Sequence, residues 1–221
     1  MKKFFIALLF IPAILFSQTG PKIEIVGGDN INTNKHKRGQ ELTYDITFKN
    51  VGDQDLMVTG VQTSCGCSSA LAGSDAVKPG ETGTIKFTFN GQGMGSVTKV
   101  VMITTNEGGS STKNVQMTMN MVDPVTLTPG SIITEGKVGD ELTQKASILN
   151  TMDKEIDITE ITSNTPVIKI TSDKMILMGG DSANLEISIK IYEESAINAA
   201  IIIKTTEGEF QIPVLVDVKN N

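Results

Sequence analysis

The sequence predicts an all-β protein: two tandem antiparallel sandwiches behind a cleaved export signal. Three observations carry this expectation. A repeat holds one register over most of the chain, apolar residues alternate with polar ones within each copy, and the N-terminus is a lysine pair followed by an apolar run. The boundaries that follow are 1–17 for the signal, 18–122 for the first module and 123–221 for the second.

The repeat is nearly free of gaps. Gly39-Gln-Glu-Leu-Thr43 returns as Gly139-Asp-Glu-Leu-Thr143, Asn50 as Asn150, and Asp55-Leu-Met-Val-Thr59 as Glu155-Ile-Asp-Ile-Thr159. Pro79-Gly80-Glu81 returns as Gly179-Gly180-Asp181, and Val101–Thr105 with Glu107-Gly108 returns as Ile201–Thr205 with Glu207-Gly208. Each pair lies 100 positions apart, from 39 to 139 onward. Chance matches would not hold one register across a whole module, so two copies of one fold follow, joined near Asp123-Pro124.

Within each copy the period is that of strands. Leu42, Tyr44, Ile46 and Phe48 alternate with polar residues, as do Val115, Met117, Met119 and Met121. In the second copy Phe210, Ile212, Val214, Val216 and Val218 do the same. Such alternation marks a half-buried strand. Turn-forming clusters separate the runs at Asn50-Val-Gly-Asp53, Lys78-Pro-Gly-Glu81 and Asn106-Glu-Gly-Gly109. No segment keeps a helical period. Short alternating strands with regular turns over about 100 residues indicate an immunoglobulin-like sandwich.

The N-terminus sets the compartment. Lys2 and Lys3 precede an apolar stretch from Phe4 to Phe16, and Ser17 is a small residue at the expected cleavage point. The stretch fits a secretory signal and is short for a membrane span. A periplasmic or secreted protein is expected, with no membrane span in the mature chain. Removing Lys2 and Lys3 from 19 basic residues leaves 17 against 25 acidic ones. That balance lacks the basic footprint of a nucleic-acid binder. Aromatic residues make up 5% and tryptophan is absent, which disfavours a base- or sugar-stacking platform.

The first copy also carries a family pattern. Phe48-Lys-Asn50-Val-Gly52, Leu56, Thr63-Ser-Cys-Gly-Cys67, Lys78-Pro-Gly-Glu81, Phe87, Phe89, Gly95, Lys99 and Thr105-Asn106 occur in one order. Over roughly residues 40–108 this resembles the bacterial envelope family called domain of unknown function 1573, whose modules are similar to the hydin and chaperone-sandwich type. The second copy departs from it, with Thr165-Pro-Val167 where the cysteines stood. The resemblance implies a fold and an envelope location, and no activity.

Cys65 and Cys67 are the only cysteines and the one unusual chemical feature. Three readings stand together. The first is a structural turn or local disulfide. Alternate residues of a strand lie about 6.5 Å apart, near the outer limit for a bridge, and Gly66 permits tighter backbone including φ > 0. The second is a redox or mixed-disulfide role, since a strained pair is easily reduced. The third is a soft-metal site for copper or zinc, to which the pair supplies only two ligands.

Other motifs read more plainly. Met117, Met119 and Met121 sit at strand spacing and are expected in the core rather than on copper. His36, within Lys35-His-Lys-Arg38, is expected to be a solvated linker residue whose flanking cations disfavour its proton. Gly91-Gln-Gly-Met-Gly95 precedes a strand, not a helix, so a hairpin connection is expected rather than a phosphate loop. Asp53 with Asp55, and Asp153 with Glu155, supply too few oxygens for calcium and read as turns. No catalytic residue, cofactor or cofactor-binding residue is expected. The function that follows is a non-enzymatic exported module, protein-binding or structural, with a protein partner in the cell envelope met through sheet edges or loops. The alternative is thiol-redox or soft-metal handling at Cys65 and Cys67. An enzyme on a sandwich scaffold ranks last.

Overall fold

The computed structural model describes residues 20–66, 68–72 and 76–219. The export signal expected at 1–17 lies outside them. The described chain is almost entirely strand, with one three-residue 3-10 turn at Glu107–Gly109. Among the described residues no helix is long and apolar enough to cross a membrane.

The first half forms two four-stranded sheets. One has the order β1 (Ile23–Ile25), β3 (Leu42–Asn50), β6 (Thr82–Phe89), β5 (Ser68–Ala72). The other runs β2 (Asn30–Lys37), β8 (Ser111–Val122), β7 (Gly95–Thr105), β4 (Val58–Thr63). The second half repeats the plan. One sheet is β13 (Ile168–Ser172), β15 (Ser182–Lys190), β11 (Glu141–Asn150), β9 (Val125–Thr128). The other is β10 (Ile132–Gly136), β17 (Gly208–Val218), β16 (Ile197–Thr205), β12 (Ile156–Ser163), β14 (Ile176–Leu177). Pairing is antiparallel except for one parallel pair in each half, β2 with β8 and β10 with β17. The opening segment of each half therefore changes sheets: β1 lies beside β3, and β2 crosses to lie beside the last strand.

The alternation seen in sequence is the inward face. Ile46 and Phe48 from β3 and Ile85, Phe87 and Phe89 from β6 meet Val101, Ile103, Met117, Met119 and Met121 from the opposite sheet, all buried. The methionines are thus core. The second core is aliphatic, with Ile148, Leu185, Ile187 and Ile189 facing Ile201, Ile203, Ile212, Val214 and Val216. One pair shows how the copies diverge without losing the fit. Phe48 lies opposite Gly83, where an added Cβ would come within 2.4 Å of the Phe48 ring. In the second copy Ile148 lies opposite Ala183. The smaller partner grows as the larger shrinks, as a core packed to constant volume requires.

The 100-residue register is structural from β3 to β7. Leu42 pairs Phe89 as Leu142 pairs Ile189, and Leu56 bridges Val77 as Ile156 pairs Leu177. The last strand drifts from it. Thr105 pairs Ser111, whereas Thr205 pairs Gly208. The first copy has three extra residues in that hairpin, so Val115, opposite Val101, matches Ile212, opposite Ile201.

Candidate functional site

The segment that begins at Ser64 and holds Cys65 and Gly66 lies at the rim of the first sandwich. It follows β4, an edge strand of one sheet, and leads into β5, an edge strand of the other. Backbone and hydroxyl groups pin it. The Thr63 hydroxyl donates to the carbonyls of Cys65 at 3.1 Å and Ser68 at 2.8 Å. Ser64 N donates to Val100 O at 3.0 Å, and its hydroxyl accepts from Val100 N at 3.2 Å. The Ser68 Oγ lies 3.7 Å from the Cys65 Sγ. Asn164 repeats the Ser64 contact in the second copy, accepting from Ala200 N at 2.9 Å. The clip to the neighbouring strand therefore belongs to the fold, and the cysteines are an addition to it.

Cys65 is half-buried and disulfide-bonded. Cys67, the chain's other cysteine, lies outside the described residues. Gly66 is exposed and not at positive φ, and a Cβ there would meet nothing within 4 Å. Gly66 thus does not use the left-handed backbone that its lack of a Cβ permits.

The other sequence candidates fall elsewhere. His36 is not in a linker. It sits on β2, which pairs through its backbone with β8, and its Nε2 lies 2.9 Å from the Thr33 hydroxyl. Burial holds its pKa below the ordinary imidazole value. Its neighbours Lys35, Lys37 and Arg38 reach the second module, with Lys35 2.9 Å from Asp153 and Arg38 2.8 Å from Asp123. The Lys35 hydrogen bond holds the Asp153 carboxyl below its usual range. Asp53 accepts from Gly20 N at 2.8 Å. Gly91–Gly95 is not a hairpin, because it carries the chain from β6 in one sheet to β7 in the other.

One feature was invisible to motif reading. The strand β14 ends its sheet; Ile176 in it and Met175 and Met178 flanking it are 57%, 44% and 56% exposed, while Leu177 is fully buried. The first copy has Asp75, Ala76 and Lys78 at these positions. The only signal in sequence was this departure of one copy from the other. An edge strand normally carries charge to prevent unwanted pairing. The second copy has exchanged that charge for apolar surface.

Comparison with known proteins follows the same division. Residues 26–121 match the family described as "Protein of unknown function (DUF1573)", which spans β2 to β8 of the first copy. No curated protein matches the chain. Among solved structures, a protein of unknown function from Porphyromonas gingivalis W83 is 15% identical, with 88% of this chain and 99% of that chain covered and a TM-score of 0.36. The two-domain DIP-gamma IG1+IG2 is 12% identical, with 91% and 99% covered and a TM-score of 0.45. Titin-A168169 is 12% identical, with 90% and 99% covered and a TM-score of 0.34.

Proposed function

We propose, from the premise that residues 26–121 form a module of the DUF1573 family, that this is a non-enzymatic exported protein of the cell envelope, periplasmic or secreted. It binds another envelope protein through the open sheet edge at β14. The observation that carries this reading is the apolar edge itself. Met175, Ile176 and Met178 are exposed in and beside a strand paired on one side only, where the sister module has Asp75, Ala76 and Lys78. A partner strand added there gains main-chain hydrogen bonds from the edge and apolar burial from three side chains. The leader at 1–17 supports the compartment.

The sister copy supplies the test. A chain carrying Met175→Asp, Ile176→Ala and Met178→Lys has the first module's own edge residues, so its fold is retained. Its affinity for the envelope partner should fall at least about tenfold, the loss of roughly 1.4 kcal/mol or more of apolar contact. Unchanged affinity in this variant removes the edge from the account.

A second reading is favoured by the oxidised state of Cys65. A soft metal binds thiolates, so copper or zinc at Cys65 and Cys67 would first require reduction of the bridge. Thiol–disulfide exchange needs no such step. A partner's thiolate attacks one sulfur, forms a mixed disulfide and expels the other sulfur as thiolate. Intact mass of the protein alkylated at lysis distinguishes the states. A monomer two hydrogens light with no alkyl group is expected for an internal bridge. Two alkyl groups, or added metal, excludes the bridged resting state.

A further inference from the structure

We propose that the two modules are held at a fixed angle by an ion-pair clamp, and that ionic strength controls how firmly it closes. Only Asp123 and Pro124 separate β8 from β9. So short a connection limits separation but leaves rotation about it open, and relative motion is the default for linked domains. What opposes rotation here is charge.

The first module supplies cations from one pinned strand. Lys35 and Lys37 lie on β2, opposite Asn120 and Val122 at the end of β8, and Arg38 N donates to Val122 O at 2.9 Å. The second module supplies acids from two turns. Asp153 follows β11 and Glu207 lies between β16 and β17. Lys35 reaches Asp153, and the Lys37 ammonium donates to the Glu207 carbonyl at 2.5 Å with the carboxylate 4.0 Å away. Lys154 approaches the same carboxylate at 2.5 Å from its own module. The Glu207 side chain is only 12% exposed, so it is the anchor, and the flanking pairs are more open to water. The junction is completed by the Thr151 hydroxyl donating to Asp123 O and by Thr151 N donating to Pro124 O at 3.1 Å.

The repeat shows that two of these three cations are peculiar to the junction. At the matching pole of the second module Lys35 is replaced by Glu135 and Arg38 by Val138. At the free pole of the first module, Glu107 in the place of Glu207 accepts from Ile23 N instead. A module folds with either arrangement. Lys35 and Arg38 occur only where a second module is gripped, while Lys37 is matched by Lys137. Exposed ion pairs weaken as salt rises, because charges are screened from one another beyond about 8–10 Å at 0.1–0.15 M and beyond about 3 Å at 1 M.

Small-angle scattering of the full chain tests this. Between roughly 20 mM and 1 M salt the pair-distance distribution should broaden and the radius of gyration change by a few ångström, reversibly. Glu207→Lys at low salt should reproduce the high-salt profile, and adding Lys37→Glu should restore the original. Since Glu207 is poorly exposed, Lys35→Asp and its rescue by Asp153→Lys provide the same test at an exposed pair. Rescue at either pair, with both modules still unfolding cooperatively, supports the clamp. A profile that is indifferent to salt and to both charge reversals overturns it.

Discussion

Replacing Asn50 or Asn150 with alanine is expected to destabilise the affected module by about 2–4 kcal/mol, among the larger effects a single polar residue can have here. Both side chains are fully buried at the end of the third strand of their module. Asn50 Nδ2 donates to Gln54 O at 2.7 Å and Val77 O at 2.8 Å, while its Oδ1 accepts from Gly52 N at 2.9 Å and Lys22 N at 3.3 Å. One amide thus ties the opening strand, the following turn and the segment before β6. Asn150 repeats the device with Lys154 O, Leu177 O, Met178 O and Met152 N. Alanine removes all of these bonds at a fully buried position, although Val77 O keeps Leu56 N as a donor at 2.9 Å. Aspartate should do no better, since a carboxylate cannot donate to the carbonyls and burial disfavours its charge. Urea unfolding should show one transition moved and the other unmoved in each variant. A loss under about 0.5 kcal/mol would mean that water replaces the amide without cost.

Gly91→Ala is expected to cost about 3 kcal/mol, from two sources that the chain itself separates. Gly91 has φ 74° and a Cβ there would lie 2.1 Å from the Gln40 carbonyl oxygen, a backbone atom. The close approach exists because Gly39 N donates to Gly91 O at 2.9 Å, binding the crossing loop to the turn before β3. Gly95 has φ 72° and nothing within 4 Å of its added Cβ. Gly95→Ala should therefore pay only for the left-handed backbone, about 1–2 kcal/mol. Equal losses at the two positions would show that the Gln40 contact relaxes freely.

The sandwich cores were legible because period-2 alternation is a direct record of which side faces inward, and the repeat doubled that record. The strand β2 was not legible. Its sequence, Asn30–Lys37, has Ile31 as its only large apolar residue, so it gives no alternation, and a strand held by backbone pairing leaves no such trace. The basic run on it was therefore read as linker. Gly91–Gly95 was read as a hairpin because turn residues report the bend and not which sheet receives the next strand. Asn50 and Asn150 stood out as a repeated pair, yet a polar residue at a strand end reads as turn until its burial is seen. The β14 edge consists of two paired residues, and its apolar character shows only when Met175, Ile176 and Met178 are set against Asp75, Ala76 and Lys78. Cys65 and Cys67 were conspicuous from the start. Their chemistry depends on oxidation state, which the spacing of two residues does not determine.

The most direct measurement places a photo-crosslinking side chain at position 176 in cells and, as control, at the matching position 76 of the first module. A discrete heavier adduct is expected from position 176, absent from position 76 and lost when Met175 and Met178 become Asp and Lys. No adduct at 176, or the same adducts from both positions, would contradict the claim that the second module's edge is where this protein meets its partner.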